Sequence, residues 1–422
     1  MFDLDNWIEI WSTLRRNALR TALTAVGVFW GVLMLIVMVG FGNGLQGGVQ
    51  KDMAGLTTNS LYVWGERTAL PFDGLSPGRY ILLTRADALA LEHAIPQIDA
   101  VAPRVSLGGR GGGDTVTRGD RSGTFNVSGD VPSYIRIQPE NVVLGRFLNE
   151  LDLEGRRKVV VIGNHVAEVL FPSVADPIGQ SIRIKGTEFL VIGVFRPMAT
   201  GDRGDRMGNT IHTPLTTFQQ ALRPEPWVNN LAVLMRDGAK SEEVEHRIHE
   251  ILAKRHRFSN DDKQAVGTWN AEKEFTKIGG LFTGISLLIW FVGTVTLIAG
   301  IIGVSNIMMI SVRERTREIG VRRALGATPW SIISQILREA TALTGFAGYL
   351  GLLSGLGLLE LVRVLMQSST AGDDKSMFTP PTIDFSVALA ATLTVIAGGA
   401  LAGLFPALYA VRVRPVVALR DE

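Results

Sequence analysis

Four long runs of the sequence contain no charged residue, and they constrain the fold more than any other feature. They are Thr21–Gln50, Ile278–Val312, Ala340–Leu359 and Phe385–Tyr409. Each can cross a hydrocarbon core of about 30 Å as a helix of roughly 20 residues, and a helix satisfies its own backbone hydrogen bonds in lipid. We therefore predict four membrane spans. The first is interpreted as a retained span because its apolar block, Ala22–Phe41, is longer than the core of a cleaved signal peptide.

The long stretch between the first two runs has a mixed, globular pattern. Thr84–Asp87 is a capping box that opens a helix, and Val159–Ile162 is typical of a buried strand. Ser181–Lys185 alternates in polarity and turns into Phe189–Phe195, which predicts a hairpin. Ser241 is predicted to cap a further helix. Short strands with a few helices indicate an α+β domain.

The predicted fold class is an α-helical membrane protein with four transmembrane helices plus a large α+β extracytoplasmic domain inserted between spans 1 and 2. The predicted boundaries are an interfacial amphipathic helix at 1–20, transmembrane helix 1 at 21–43, the extracytoplasmic domain with its stalk at 44–279, transmembrane helix 2 at 280–311, a cytoplasmic coupling helix and loop at 312–336, transmembrane helix 3 at 337–360, a short extracytoplasmic loop at 361–384, transmembrane helix 4 at 385–410 and a cytoplasmic tail at 411–422.

Arginines are concentrated at one end of all four predicted spans. Arg15, Arg16 and Arg20 precede span 1, six arginines lie within Arg313–Glu339, and three more lie in the tail. A Lys/Arg excess on short loops marks the cytoplasmic side of a membrane. We therefore expect both termini in the cytoplasm and the inserted domain outside.

The first 20 residues have an amphipathic pattern. Trp7, Ile8, Trp11 and Leu14 fall at helical spacing beside a basic end. This arrangement favours a helix that lies in the membrane interface and contacts lipid. A soluble amphipathic helix packed on the charged loop is the alternative.

The charged loop Arg313–Glu339 is predicted to begin with a short helix. Glu318 precedes Arg322 by four residues, the favourable order for a pair on one helix face. Gly326 suits a helix stop, and Thr328–Pro329 suits an N-cap followed by proline at the first position of the next helix.

Spans 1 and 2 are longer than the bilayer requires. At 1.5 Å per residue the two runs would extend about 45–50 Å as helices, and we predict that the surplus forms a two-helix stalk. Gly40, Gly44 and Gly48 have the spacing that lets membrane helices approach closely. They are predicted to pack against a second copy, and packing within the chain's own bundle is the alternative.

The sequence lacks the residues that several functional classes need. No charged or histidine residue lies inside the four runs, which argues against ion-coupled transporters and carboxylate-based intramembrane proteases. The sequence has neither the H-E-x-x-H zinc motif nor the G-x-x-x-x-G-K-[ST] phosphate loop, and it has no cysteine. No catalytic, cofactor-binding or metal-binding residue is therefore predicted. The net charge of +2 gives no indication of nucleic-acid binding.

Three motifs resemble functional sites but have simpler explanations. His246 and His249 are spaced for a metal on one helix, but a solvated helix face is the more common explanation. Gly108–Gly113 lacks the strand and helix that flank a phosphate loop, so we interpret it as a flexible turn. Arg203–Asp205 spells an adhesion tripeptide within Gly201–Gly208, which is interpreted as a polar loop.

The order of helix, span, large domain and three further spans, together with Arg313–Ala327 between spans 2 and 3, resembles the MacB/FtsX-type ABC transporter permease family. The inserted domain supports the resemblance through five segments similar to the family's periplasmic core domain, and the tail segment Arg414–Arg420 is also similar. The five segments are Leu144–Phe147, Val159–Gly163, Phe171–Pro172, Asp176–Gln180 and Val191–Val194.

The resemblance implies a multi-pass permease of the bacterial inner membrane that is not itself an enzyme. The MacB branch carries a fused nucleotide-binding domain before its first span, and this sequence does not, so a separate ABC-type ATPase subunit is expected to bind ATP and Mg²⁺. A second permease copy is implied, as a homodimer or as a heterodimer with a paralogue. A periplasmic adaptor and an outer-membrane channel are further partners that the resemblance allows.

Closure of the ATPase is expected to push the short charged helix and to move the outer domains without passage of substrate through the membrane core. The residues expected to couple to the ATPase are Arg313, Glu314, Arg317, Glu318, Gly320, Arg322 and Gly326. The alternative is that the arginines only set topology. Two functions stay open: export of hydrophobic compounds, peptides or lipoproteins, and FtsX-like signalling to a cell-wall hydrolase or sensor.

Overall fold

The structure is a computed structural model that describes residues 18–107, 113–172, 174, 176–369, 379–380 and 385–412. Three predicted segments lie mostly outside the described residues: the interfacial helix at 1–20, the turn Gly108–Gly113 and the tail at 411–422. Part of the loop predicted at 361–384 also lies outside them. The described chain forms two compact units. A helical unit contains the residues up to Gly48 and from Leu281 onward, and an inserted unit contains Val49–Gly280.

The described residues contain twelve helices and thirteen strands. The helices are α1 Ala18–Asp52, α2 Arg85–Ala94, α3 Tyr134–Ile137, α4 Glu150–Glu154, α5 Asn164–Leu170, α6 Gly201–Gly208, α7 Leu215–Ala221, α8 Ser241–His256, α9 Ala271–Glu314, α10 Thr316–Ala324, α11 Pro329–Ser369 and α12 Phe385–Arg412. The strands are β1 Ser60–Gly65, β2 Leu83–Thr84, β3 Ile98–Ser106, β4 Asp114–Arg118, β5 Arg121–Asp130, β6 Asn141–Gly145, β7 Val159–Gly163, β8 Ser181–Ile184, β9 Thr187–Arg196, β10 Thr210–Pro214, β11 Trp227–Val228, β12 Asn230–Met235 and β13 Val266–Asn270.

Four helices of the described chain are long and apolar enough to cross a membrane: Ala25–Asp52, Ala271–Glu314, Pro329–Met366 and Val387–Arg412. They contain the four charge-free runs almost entirely, and the α+β unit is inserted between the first and the second. The predicted fold class is therefore confirmed. Both α9 and α11 continue into charged sequence, because the end of a helix is set by its caps and not by the edge of the lipid.

Glycines bring α1 and α11 into close contact. A Cβ atom added at Gly351 would lie 2.6 Å from the carbonyl oxygen of Phe29, and one added at Gly355 would lie 2.8 Å from Cγ2 of Ile36. Neither position has room for a larger side chain. Small residues at such positions let the backbones of two membrane helices approach closely. An apolar cluster contributed by all four long helices surrounds these contacts, including Val28, Val32, Val304, Ile336, Ala340 and Ala402.

The glycines assigned to dimer packing are buried within one chain. Gly40, Gly44 and Gly48 are all buried in the isolated chain, and a Cβ atom added at Gly40 would lie 2.6 Å from Cδ1 of Leu359. The carbonyl oxygen of Gly44 accepts hydrogen bonds from the backbone N–H and the hydroxyl of Thr379. Gly40 and Gly44 thus contact residues of the same chain, and the packing of these glycines against a second copy stays a prediction.

A mixed sheet of eleven strands forms the core of the inserted unit. Ten strands follow the order β10-β7-β9-β8-β4-β5-β3-β12-β1-β13, and β6 pairs with β9. Strand β10 also pairs with β5, in parallel, so six strands from β10 to β5 close into a ring. A large apolar cluster and a smaller one fill the unit. Strand β7 contributes Val160 and Ile162 to the large cluster and Val159 and Val161 to the smaller one, which explains its uninterrupted apolar sequence.

Most local predictions for the inserted unit are confirmed. The Asp87 carboxylate accepts a hydrogen bond from the backbone N–H of Thr84, as a capping box requires. Strands β8 and β9 form the predicted hairpin, with positive φ at Lys185 and Gly186, as a two-residue turn needs.

Two local predictions are wrong. Ser241 is the first residue of α8 and makes no capping bond, because Lys240 occupies the cap position and Glu242 and Glu243 complement the helix dipole instead. The segment Gly201–Gly208 is the helix α6 and not a loop. Tertiary contacts outweigh its poor helix composition, since Met207 is buried in the unit.

Candidate functional site

The short helix α10 is separated from both neighbouring long helices by a break in the backbone. Arg315, between α9 and α10, has φ −102° and ψ 13°, outside the helical range. At the other end Gly326 has φ +97°, a conformation that glycine adopts without strain. Thr328 accepts a hydrogen bond from the N–H of Ser331 as α11 begins at Pro329. The predicted stop and restart are confirmed.

The break at Arg315 divides the charged residues between two helices. Glu314 is the last residue of α9 and Glu318 lies in the first turn of α10. The two carboxylates therefore do not share one continuous helix face. The predicted pair of Glu318 with Arg322 is confirmed, with 2.8 Å between Oε1 and Nη2.

Three arginines attach α10 to the rest of the helical unit. The Nη1 atom of Arg315 lies 3.4 Å from Oε1 of Glu339 on α11, and the Glu339 side chain is only 9% exposed. Arg322 donates to Oε1 of Gln335 on α11 at 3.1 Å. Arg323 donates to the carbonyl oxygen of Val411, in the last turn of α12, at 2.6 Å. Arg315 and Arg323 were not singled out for this role by the sequence, because their partners are distant along the chain.

A small cleft of about 30 Å³ lies between the end of α9, α10 and the start of α11. Its lining combines apolar side chains with two carboxylates, Glu318 and Glu339, and two arginines. The lining residues are Met308, Ser311, Val312, Arg315, Glu318, Ile319, Arg322, Ile332, Gln335, Ile336 and Glu339. The equal number of acidic and basic groups does not favour a free anion or cation in this cleft.

An exposed apolar surface lies beside the charged residues. Leu325 is 84% exposed, Trp330 is 71% exposed and Val321 is 40% exposed. We call these three residues the apolar tip. Large apolar side chains that are exposed near the junction of two helices indicate an interaction surface when they are flanked by polar groups. The apolar tip was not predicted from the sequence, although an isolated Leu and Trp within a charged, Gly-containing loop were available as a signal.

The remaining predicted coupling residues fall into two groups. Arg317 and Arg313 are exposed, and the guanidinium of Arg313 lies 5.7 Å from the ring centre of Tyr409. Gly320 is the buried residue of α10. Glycine at this position lets the helix backbone lie close to the bundle, whereas Arg313 and Arg317 remain accessible from solvent.

The histidines of α8 make local contacts and are not gathered around a vacant centre. His249 lies 3.2 Å from Oδ1 of Asn260, and His256 lies 3.1 Å from Oδ2 of Asp87. His246 lies 3.5 Å from Glu250, one helical turn away. Across the described residues no group of three or more His, Cys, Asp or Glu side chains has the arrangement of a metal site.

A buried ionic cluster lies in the core of the inserted unit. Asp130 contacts Nε of Arg104 at 3.1 Å and Nδ1 of His212 at 2.6 Å, while Nε2 of His212 lies 3.3 Å from Glu140. Arg104 also donates to the hydroxyl of Tyr134. We call these five residues the ionic core. They are far apart in the sequence, and no sequence pattern joined them.

The ionic core changes the protonation of His212. Burial lowers its pKa, but the carboxylates of Glu140 and Asp130 outweigh burial and raise the pKa from 6.5 to about 9. Burial likewise disfavours the charge on Arg104, and Asp130 offsets this and raises its pKa. Burial raises the pKa of Tyr134. His212 is therefore protonated near neutral pH beside Arg104, and the contacts of the ionic core join strands β3, β5 and β10.

Comparisons with known proteins cover almost the whole chain. Residues 21–251 match the family model of the MacB-like periplasmic core domain, and residues 290–415 match that of the FtsX-like permease C-terminal region. The macrolide export ATP-binding/permease protein MacB of Bdellovibrio bacteriovorus is 29% identical, over 97% of this chain and 60% of its own length. MacB of Rhodospirillum rubrum is 32% identical, over 97% of this chain and 59% of its own length.

This chain thus spans about 60% of the length of these curated relatives. Among solved structures, the periplasmic region of MacB from Actinobacillus actinomycetemcomitans aligns with a TM-score of 0.43 and 20% identity, over 55% of this chain and 97% of that one.

Proposed function

This chain belongs to the MacB/FtsX family of ABC transporter permeases, and we propose that it works by mechanotransmission. In this proposal a separate ABC-type ATPase subunit binds ATP with Mg²⁺ and hydrolyses it. The resulting movement reaches the inserted domain through α1 and α9. The family models that match this chain describe the periplasmic core domain and the permease region. The sequence contains no G-x-x-x-x-G-K-[ST] phosphate-binding loop.

The observation that carries the proposal is the apolar tip. Leu325 follows α10 and Trp330 lies in the first turn of α11, and both expose most of their side chains, while Arg317 and Glu318 in the first turn of α10 are also exposed. An apolar centre with a polar rim is the usual anatomy of a protein–protein interface. We assign this surface to the ATPase, with Arg313, Glu314, Arg317 and Glu318 at its rim, and Gly320, Arg322 and Gly326 as residues that set the position of α10.

The orientation follows from charge. The arginines around α10 are expected in the cytoplasm, where an ATPase has access to ATP, and the inserted domain is expected outside the inner membrane. To test this orientation, a cysteine is placed at exposed Ser122 and treated with an impermeant thiol reagent. If this cysteine did not react in cells with a permeabilised outer membrane and an intact inner membrane, the orientation would be refuted. The outward apolar faces of α9 and α12 are available to lipid and to a second permease copy, homologous or identical.

Export is the activity that the family supports best. The MacB-like core domain occupies the inserted unit, and we propose hydrophobic compounds, peptides or lipoproteins as the exported class, with an adaptor and an outer-membrane channel as further partners. The FtsX-like C-terminal region also suits signalling to a cell-wall hydrolase or sensor. Export assays and hydrolase assays in the same deletion strain separate the two activities.

Replacement of the apolar tip tests ATPase docking directly. Leu325→Ala with Trp330→Ala should weaken binding of the cognate ATPase by about 1–2 kcal/mol per residue, since buried aromatic and apolar anchors dominate interfaces. The measurement is pull-down of the ATPase and its stimulation in proteoliposomes. Leu151→Ala, at an exposed leucine of the inserted unit, is the matched control. Unchanged binding in the double variant would place the ATPase elsewhere.

A further inference from the structure

We propose that Arg315, Arg322 and Arg323 form a clamp that makes α10 part of one mechanical body with α11 and α12. The role of the clamp in coupling rests on the function proposed above, whereas the clamp itself does not. The hydroxyl of Thr316 joins the start of α10 to the carbonyl oxygens of Val312 and Arg313 on α9. The contacts of the three arginines join α10 to the two helices that follow as well.

The backbone gives α10 little stability of its own. It has nine residues, and isolated helices shorter than about 12–15 residues are marginal in water. The helix is interrupted at Arg315 and again at Leu325–Gly326. Gly320 is its buried residue, and Ile319 is the half-buried residue that packs on the apolar cluster of the bundle. Apolar burial therefore fixes α10 only weakly, and side-chain contacts decide its position.

The arginine contacts go to the following helices. Arg315 reaches Glu339 and Arg322 reaches Gln335, one helical turn apart on α11. Arg323 reaches the carbonyl oxygen of Val411 on α12. Two points on α11 and one on α12 fix both the rotation and the translation of a short helix.

Glu339 is the essential member of the clamp. Its side chain is 9% exposed and follows the apolar surface of α11, whereas Arg315 is 30% exposed. A buried carboxylate that loses its cation is strongly unfavourable, unlike an exposed one. An exposed pair on the same helix provides the contrast: Arg363 and Glu360 are also separated by 3.4 Å, with side chains 48% and 61% exposed.

The clamp predicts how movement is passed on. When the ATPase displaces Val321 and Leu325, α11 and α12 move together with α10, and a broken clamp lets α10 shift against these two helices. Arg315, Arg322, Arg323 and Glu339 are thus positioning residues. Their loss should reduce coupling while the ATPase still binds, which is the opposite of the result expected for the apolar tip.

Spin labels can measure the clamp without an ATPase. The sequence contains no cysteine, so Ala324→Cys on α10 and Phe346→Cys on α11 give one labelled pair in the full chain. We expect a narrow distance distribution in the parent, a broad one with Glu339→Gln, and a narrow one with the matched control Glu360→Gln. The exchanged pair Arg315→Glu with Glu339→Arg, or Arg315→Lys alone, should retain a narrow distribution.

Activity then separates the clamp from the proposed function. With the ATPase in proteoliposomes, Glu339→Gln should retain pull-down and lose most of the stimulation of ATP hydrolysis. The clamp proposal would be overturned if the distance distribution stayed narrow in Glu339→Gln. It would also be overturned if the distribution became broad in both Arg315→Lys and the exchanged pair. Failure of the parent chain to bind any ABC-type ATPase would overturn the proposed function but leave the distance result valid.

Discussion

The inserted unit and the helical unit both use arginine–carboxylate contacts, but in different surroundings. In the ionic core, Asp130 and His212 are almost completely inaccessible to solvent. Around α10 the arginines are partly exposed, and only Glu339 is buried. Coulomb attraction grows as the dielectric constant falls, and so does the cost of an unpaired charge. Buried contacts therefore fix one structure, whereas exposed ones let a surface change partners.

The difference matches the task proposed for each region. The inserted domain has to move as a rigid body, and its charges are enclosed within the sheet. The α10 region has to meet another protein, and its apolar tip stays exposed. The predictions below test whether burial, and not the number of charges, decides the effect of each residue.

The largest effect is expected from Asp130→Ala. The change leaves Arg104 and His212 in the core without their shared counter-charge, and breaking a buried ion pair costs about 3–5 kcal/mol. Pulse proteolysis of the full chain in urea measures the stability of the inserted domain. Glu188→Ala removes an exposed pair with Arg183 at 2.9 Å and should cost less than about 1 kcal/mol. Equal losses in the two variants would contradict the role of burial.

The next effect is a dependence of stability on pH. The folded pKa of His212 is raised to about 9, so its stabilisation is fully present below about pH 6.5 and declines as pH rises through about 9. The loss should reach about 3 kcal/mol at most, from 1.36 kcal/mol per unit of pKa. Urea midpoints between pH 6 and 10 measure it. His212→Gln should flatten the profile and exposed His165→Gln should not; a profile that survives in His212→Gln would exclude this histidine as its source.

The sequence predicted more of the helical unit than of the ionic core, for a physical reason. A span requires about 20 apolar residues in one run, and caps such as Thr328–Pro329 act on their immediate neighbours, so both can be identified locally. The contacts of Asp130 and Glu339 join residues that are distant in sequence. The apolar tip was also missed, because exposure depends on the turn that Gly326 makes and not on the residue type alone.

A smaller effect is expected from overpacking the helix bundle. A valine at Gly351 would meet the backbone oxygen of Phe29 and the Cβ of Val32, and overpacking of this kind costs about 1–3 kcal/mol. Gly357 lies on the same helix with no atom within 4 Å of an added Cβ, so Gly357→Val is the matched control. Thermal stability in detergent measures both variants. A loss in Gly357→Val equal to that in Gly351→Val would mean that helix propensity, and not packing, is responsible.

The smallest effect is expected from the acidic rim of the α10 surface. Glu318 is exposed and pairs with Arg322 on the same helix, and such a pair contributes about 0.3–0.5 kcal/mol. Glu314→Ala with Glu318→Ala should therefore leave the stability of the permease unchanged within about 0.5 kcal/mol. Rim charges change the association rate and its dependence on salt more than they change the final affinity.

Binding kinetics of the ATPase at low and high ionic strength separate the rim from the apolar tip. The double variant should slow association at low salt and should resemble the parent at high salt, because the lost attraction is screened beyond about 10 Å at 0.1 M salt. The parent and the Leu151→Ala chain are the references. A large increase in dissociation rate that persists at high salt would show that these carboxylates become buried in the complex, and the contrast between an enclosed ionic core and an open surface would then hold only for the free permease.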